Sequence, residues 1–104
     1  MRVELLWWEG CPSTPEAMEH LKQVLREEGL DPEAVELVEV ESDEQAEREH
    51  FPGSPTIRID GEDAVPPGES EPVGLTCRVY RLRDGRPSPT PDPADLRAAV
   101  RRAA

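Results

Sequence analysis

Val3-Glu4-Leu5-Leu6-Trp7-Trp8-Glu9-Gly10-Cys11-Pro12-Ser13-Thr14 is the stretch on which the reading of this chain turns. An apolar run from Val3 to Trp8 has the length and composition of a buried strand, and Gly10 closes it. A cysteine follows, and then helix-start signals. Ser13 and Glu16 have capping-box spacing, and Thr14-Pro15 offers a second cap with proline in the first turn. Ala17, Met18, Leu21, Val24 and Leu25 then share one helical face, and Gly29 is the expected stop. Cys11 therefore stands at a strand-to-helix junction, where the positive end of the helix dipole and free backbone N–H groups favour a thiolate. Glu9 and Glu16 oppose it, because nearby negative charge disfavours ionisation. An inert cysteine filling the strand end is the competing reading.

Working outward, Asp31-Pro32 marks a turn and Val35–Val40 a second strand. One helix separates it from the first, which favours parallel pairing through a crossover. Ser42–His50 reads as a short polar helix capped by Ser42 and ended by Phe51-Pro52-Gly53. Ser54–Ile59, Asp60-Gly61 and Glu62–Val65 read as a hairpin, with proline tolerated at the first strand residue. Residues 66–75 form a proline- and glycine-rich loop, and Cys77–Leu82 reads as an additional strand. Pro87–Pro93 carries too many prolines for a full ladder. Asp92 caps a last helix with Leu96 and Val100 on its apolar side. The order predicts an α/β fold, β-α-β-α-β-β-α, with a four-stranded mixed sheet flanked by helices, an insert before the last helix, and a single domain over 1–104.

The 104 residues carry a formal net charge of −11. Residues 1–60 hold 16 acidic and 5 basic side chains, whereas residues 61–104 hold 7 of each. The acid excess suits solubility and argues against a nucleic-acid partner. No segment is long and apolar enough for a signal peptide or membrane span, so a cytoplasmic protein without a membrane partner is expected. Two cysteines in that compartment are more in keeping with inert, redox-active or metal-binding roles than with a structural bridge. No phosphate-binding glycine loop, nucleophilic serine motif or paired-carboxylate motif occurs, and no cofactor is implied.

Gly10-Cys11-Pro12 after the first strand and Gly53-Ser54-Pro55-Thr56 opening the third give the chain a resemblance to the thioredoxin-like superfamily. The hairpin Ser54–Val65 is similar to its glutaredoxin branch. The resemblance covers roughly residues 3–65 and the last helix. Around Gly74–Arg81 the chain also resembles small bacterial thioredoxin-like proteins, some labelled as related to alkylmercury lyase. The superfamily resemblance implies that Cys11 is the nucleophile and that Pro55 is a cis-proline facing it. Thr14 stands where dithiol members carry a second cysteine, so Cys-Pro-Ser-Thr replaces Cys-x-x-Cys.

On that basis Cys11, Cys77 and Thr14 are the expected catalytic set, and Ser54, Pro55, Pro12 and Trp8 the expected substrate-binding set. Thr14 is expected either to donate a hydrogen bond to the Cys11 sulfur or simply to cap the helix. A cis Ser54–Pro55 bond would leave the Ser54 N–H and C=O free to pair with an extended substrate. In the implied topology the chain is back near Cys11 at about Pro66, so Cys77 can supply the missing resolving thiol; a core cysteine is the alternative. Trp7 and Trp8 face opposite sides of their strand. Arg78, Arg81, Arg83 and Arg86 either hold a glutathione carboxylate or clamp the acidic half, and His20 and His50 read as surface residues. The expected function is thiol–disulfide exchange with a protein disulfide or glutathione-type thiol. The rivals are a non-catalytic binding module and a soft-metal (mercury or copper) thiol protein, with no complete metal site in the sequence.

Overall fold

A computed structural model describes residues 1–68 and 71–104. Its elements are β1 (Val3–Trp7), α1 (Thr14–Glu27), a 3₁₀ turn (Pro32–Ala34), β2 (Val35–Glu39), α2 (Asp43–Glu49), β3 (Thr56–Ile59), β4 (Glu62–Asp63), β5 (Tyr80–Arg81), β6 (Pro87–Ser88) and α3 (Pro93–Ala103). Four strands form one mixed sheet in the order β2-β1-β3-β4. β1 runs parallel to β2, with Leu5 beside Leu37, and antiparallel to β3, with Leu5 beside Ile57.

The period of two in β1 sorts the core. Val3, Leu5 and Trp7 face a layer built with Ala17, Leu21, Val24 and Leu25 of α1, Ile57 and Ile59 of β3, and Leu96, Ala99 and Val100 of α3. Leu6 and Trp8 point the other way, toward Val38, Val40, Ala46 and Phe51 around α2. The sheet thus has helices on both faces, α1 and α3 on one and α2 on the other. β2 is an edge strand, and Leu37, on the α1 side, is left 58% exposed.

Local chemistry explains the boundaries. Ser42 caps α2 by accepting from the Gln45 N–H at 3.1 Å, and His50 ends it in the left-handed region. Asp60 and Gly61 both have positive φ, the conformation of a two-residue hairpin turn joining β3 to β4. Asp92 caps α3 through the Ala94 N–H at 2.9 Å and also accepts from the Arg83 N–H at 3.0 Å. α3 is tied to α1 by Arg97–Glu27 and Arg101–Glu28 ion pairs.

Two expectations need correction. Ser13 is the N-cap residue of α1, but its hydroxyl makes no cap hydrogen bond. The extra strand expected over Cys77–Leu82 shrinks to Tyr80–Arg81, which pairs with Pro87–Ser88 in a separate two-stranded sheet. Cys77 instead makes an isolated parallel bridge to Ser54, because Ser54 opens β3 and the passing backbone meets it there for one residue only.

Candidate functional site

The site is assembled from the β1–α1 junction, the entry to β3 and the segment Thr76–Tyr80. The Cys11 backbone N–H donates to the Trp8 carbonyl at 3.0 Å, which turns the chain at the end of β1 and leaves the side chain 5% exposed. The Ser54–Pro55 peptide bond is cis. The Cys11 thiol donates to the Ser54 carbonyl at 3.3 Å, which sets the sulfur against the start of β3.

The Ser54 backbone is not free. Its N–H donates to the Thr76 carbonyl at 2.8 Å, and its carbonyl accepts from the Arg78 N–H at 2.8 Å. The expected docking edge for an extended substrate is therefore occupied by the protein's own strap. Three further contacts hold the strap in place. The Tyr80 hydroxyl donates to the Pro55 carbonyl, and the buried Arg78 guanidinium donates to the Tyr80 hydroxyl at 3.1 Å and to the Val65 carbonyl. The guanidinium carbon lies 4.4 Å from the Tyr80 ring centre, within cation–π range. Gly53 is required beneath it: its φ is +132°, and a Cβ there would meet Arg78 N at 3.1 Å and Arg78 Cα at 3.2 Å.

The strap carries Cys77 past Ser54, the residue whose carbonyl the Cys11 thiol meets, and both cysteines are free thiols, Cys11 buried and Cys77 exposed. Burial acts to raise the Cys11 pKa. The Ser13 hydroxyl, at 3.0 Å the foremost group favouring the thiolate, together with Cys77, the Ser13 backbone and Ser54, outweighs burial and holds the thiol below its ordinary value. The Cys77 pKa is pushed up, first by the neighbouring Cys11 thiol, then by burial and by the Cys11 charge. The two sulfurs are thus differentiated: Cys11 is the readier thiolate, and Cys77 is the thiol that supports it.

Ser13, not Thr14, is the hydroxyl partner of the sulfur, at 3.0 Å. The Ser13 hydroxyl turned to Cys11 is no longer available to cap the helix. Among the described residues, the buried Thr14 Oγ1 and the buried Ser54 hydroxyl have no hydrogen-bond partner.

A cleft of about 390 Å³ opens beside Cys11, lined by Trp7, Cys11, Pro12, Thr14, Pro15 and Leu37. Trp7, not Trp8, is the indole at the site, because odd-numbered β1 residues share the face that α1 covers. Trp8 lies on the other face, folded over Gly10, where a Cβ would come within 2.3 Å of its ring. Ser13 and Trp7 are the residues that the sequence reading missed. Strand parity was the available signal for Trp7; nothing in the sequence separates Ser13 from Thr14.

The arginine run clamps nothing in the acidic half among the described residues. Arg78 pairs with Glu71, Arg83 with Asp95 and Arg86 with Asp84, while Arg81 donates to the Gly85 carbonyl. His20 is half-buried and shares a hydrogen bond with Thr90 at 3.4 Å. No group of three or more His, Cys, Asp or Glu side chains converges as a metal site, and no helix is long and apolar enough to cross a membrane, among the described residues.

No protein-family model matches the chain, and no curated protein and no solved structure matches it either. Function has to be argued from the site.

Proposed function

We propose that the chain is a thioredoxin-like protein that carries out thiol–disulfide exchange, with Cys11 as nucleophile and Cys77 as resolving thiol. The observation that carries this reading is that both cysteines meet one residue: the Cys11 thiol donates to the Ser54 carbonyl at 3.3 Å, and Cys77 bridges Ser54 through its backbone. In that setting the Cys11 pKa is lowered and the Cys77 pKa raised. Cys11 stands just before α1, at a helix N-terminus, where a thiolate is favoured.

In the proposed cycle the Cys11 thiolate attacks one sulfur of a disulfide RSSR. A Cys11–S–S–R bond forms, and RS⁻ leaves. Cys77 then attacks the Cys11 sulfur and gives its proton to the second departing thiolate. The protein ends with a Cys11–Cys77 disulfide, and RSSR has been reduced by two electrons to two thiols. A thiol reductant restores the dithiol. Ser13 stabilises the thiolate, and Cys77 replaces the second cysteine that Thr14 cannot supply.

Single-turnover reduction of a chromogenic disulfide tests the reading. Cys11→Ser should abolish the reaction. Cys77→Ser should still attack but stop at a mixed disulfide, visible by mass spectrometry as one retained R group. Equal rates in Cys11→Ser and the unmodified protein would leave only a binding module. Two thiols that both meet Ser54 would also suit a two-coordinate soft cation. One mercury or copper(I) ion held per chain, lost in either cysteine variant, together with no disulfide turnover, would transfer the assignment to metal handling.

A further inference from the structure

Resting on that redox reading, we infer that the substrate of Cys11 is a small, uncharged, apolar disulfide entering through the Trp7–Leu37 cleft, rather than a peptide disulfide or glutathione disulfide. Two independent observations lead there.

First, the route for a peptide is closed. An extended peptide gains affinity at a strand edge through main-chain hydrogen bonds. The Ser54 N–H and C=O that would supply them are bonded to Thr76 and Arg78 at 2.8 Å each. Displacing the strap would also break the Tyr80–Pro55 contact and expose the Arg78 guanidinium, which is buried.

Second, the open route is apolar and carries no charge. The cleft beside Cys11 is lined by Trp7, Pro12, Thr14, Pro15 and Leu37, with the Thr14 hydroxyl itself buried and no charged side chain in the lining among the described residues. Its volume, about 390 Å³, is that of a small-ligand site. Glutathione carries carboxylates that need cations, and none lines this cleft. The arginines that could have served, Arg78, Arg81, Arg83 and Arg86, are engaged elsewhere. The half of the chain that builds the cleft holds 16 acidic and 5 basic residues, so an anion is repelled on approach. Cys77 lies outside the cleft and borders a different one, lined by Pro52, Glu71, Pro72, Thr76, Arg78 and Val79. Substrate therefore reaches Cys11 without displacing the resolving thiol.

The test uses the full reduced chain with three symmetrical disulfides: an uncharged aromatic one, bis(2-hydroxyethyl) disulfide, and glutathione disulfide. Each rate is divided by the rate of the same disulfide with free cysteine, and by the iodoacetamide rate of the protein variant used. The aromatic disulfide should lead glutathione disulfide by on the order of tenfold or more, the discrimination that an apolar pocket typically delivers. Leu37→Lys, at an exposed edge position, should slow the aromatic disulfide, speed glutathione disulfide and narrow the ratio several-fold. Tryptophan fluorescence, to which Trp7 and Trp8 both contribute, should change on the same time course as the aromatic reaction. Glutathione disulfide matching or exceeding the aromatic one, or a ratio unmoved by Leu37→Lys, would overturn the inference while leaving the redox reading intact. If none of the three outruns its free-cysteine reference, both fall.

Discussion

Cys11 is poised by hydroxyl and amide donors rather than by charge. The acidic neighbours Glu9 and Glu16 do not set its ionisation; burial opposes the thiolate, and Ser13 is the foremost group favouring it. Ser13→Ala is therefore expected to raise the Cys11 pKa and slow its alkylation at neutral pH by about tenfold or more, because hydrogen bonds to a charged group are worth about 1.5–3 kcal/mol. Thr14→Ala, which removes a hydroxyl with no partner, should leave the alkylation profile unchanged. A pH series with iodoacetamide reads both. Tyr80 offers a second titration. Burial pushes its phenol up to about 12. The folded state holds that proton more tightly than the unfolded chain, so the stability it contributes is fully present below the ordinary tyrosine range and is lost as pH rises through the folded value. As the chain has a single tyrosine, near-ultraviolet absorbance should show no phenolate until well above the ordinary tyrosine pKa. A normal midpoint would mean that Tyr80 does not hold the strap through Pro55.

Among the elements, the strap Thr76–Tyr80 has the least local support and the most consequence. Its regular pairing is limited to the isolated bridge at Cys77 and the start of β5 at Tyr80, and two backbone hydrogen bonds to Ser54, one buried arginine and one tyrosine position it. Gly53 is where it is most easily disturbed. Gly53→Ala puts a Cβ against Arg78 and imposes a left-handed backbone on alanine, a cost of about 1–3 kcal/mol. The strap should lift, the Cys11–Cys77 disulfide should form more slowly under mild oxidant, and Cys77 should label faster. Far-ultraviolet circular dichroism should stay near that of the unmodified chain, because the four-stranded sheet lies outside the contact. Unchanged oxidation kinetics would show that the strap does not deliver Cys77.

For the whole molecule, joining Cys11 to Cys77 closes most of the chain between the first strand and the last helix. Limiting the unfolded chain over a loop of that length is worth about 4 kcal/mol in the chain-entropy picture. The strap is docked before the bond forms, so little folded-state rearrangement offsets the gain. The oxidised protein is expected to melt roughly 10 °C or more above the reduced one. Thermal unfolding with and without reductant measures this, and coincident melting curves would argue against the pairing.

The amino-acid sequence alone determined the elements of the sheet and its helices. Alternation in Val3–Trp7, the apolar stripe of α1, the caps at Ser42 and Asp92 and the Asp60-Gly61 turn are local signals that act through neighbouring residues, and the parallel β1–β2 pairing and the β3–β4 hairpin follow from their order, whereas the β1–β3 pairing that joins them is long-range. It also placed Cys11 at the head of a helix. Tertiary structure alone decided what faces that sulfur. Ser13 and Thr14 are chemically similar hydroxyls one residue apart, and only the rotation of the first helical turn selects between them. Cys77 reaches Ser54 across a loop whose path is set by long-range contacts from Arg78 and Tyr80 to Val65 and Pro55. Contacts between residues far apart in the chain leave no periodic trace in the sequence, so the occupied Ser54 edge and the apolar cleft beside Cys11 are set by the tertiary structure.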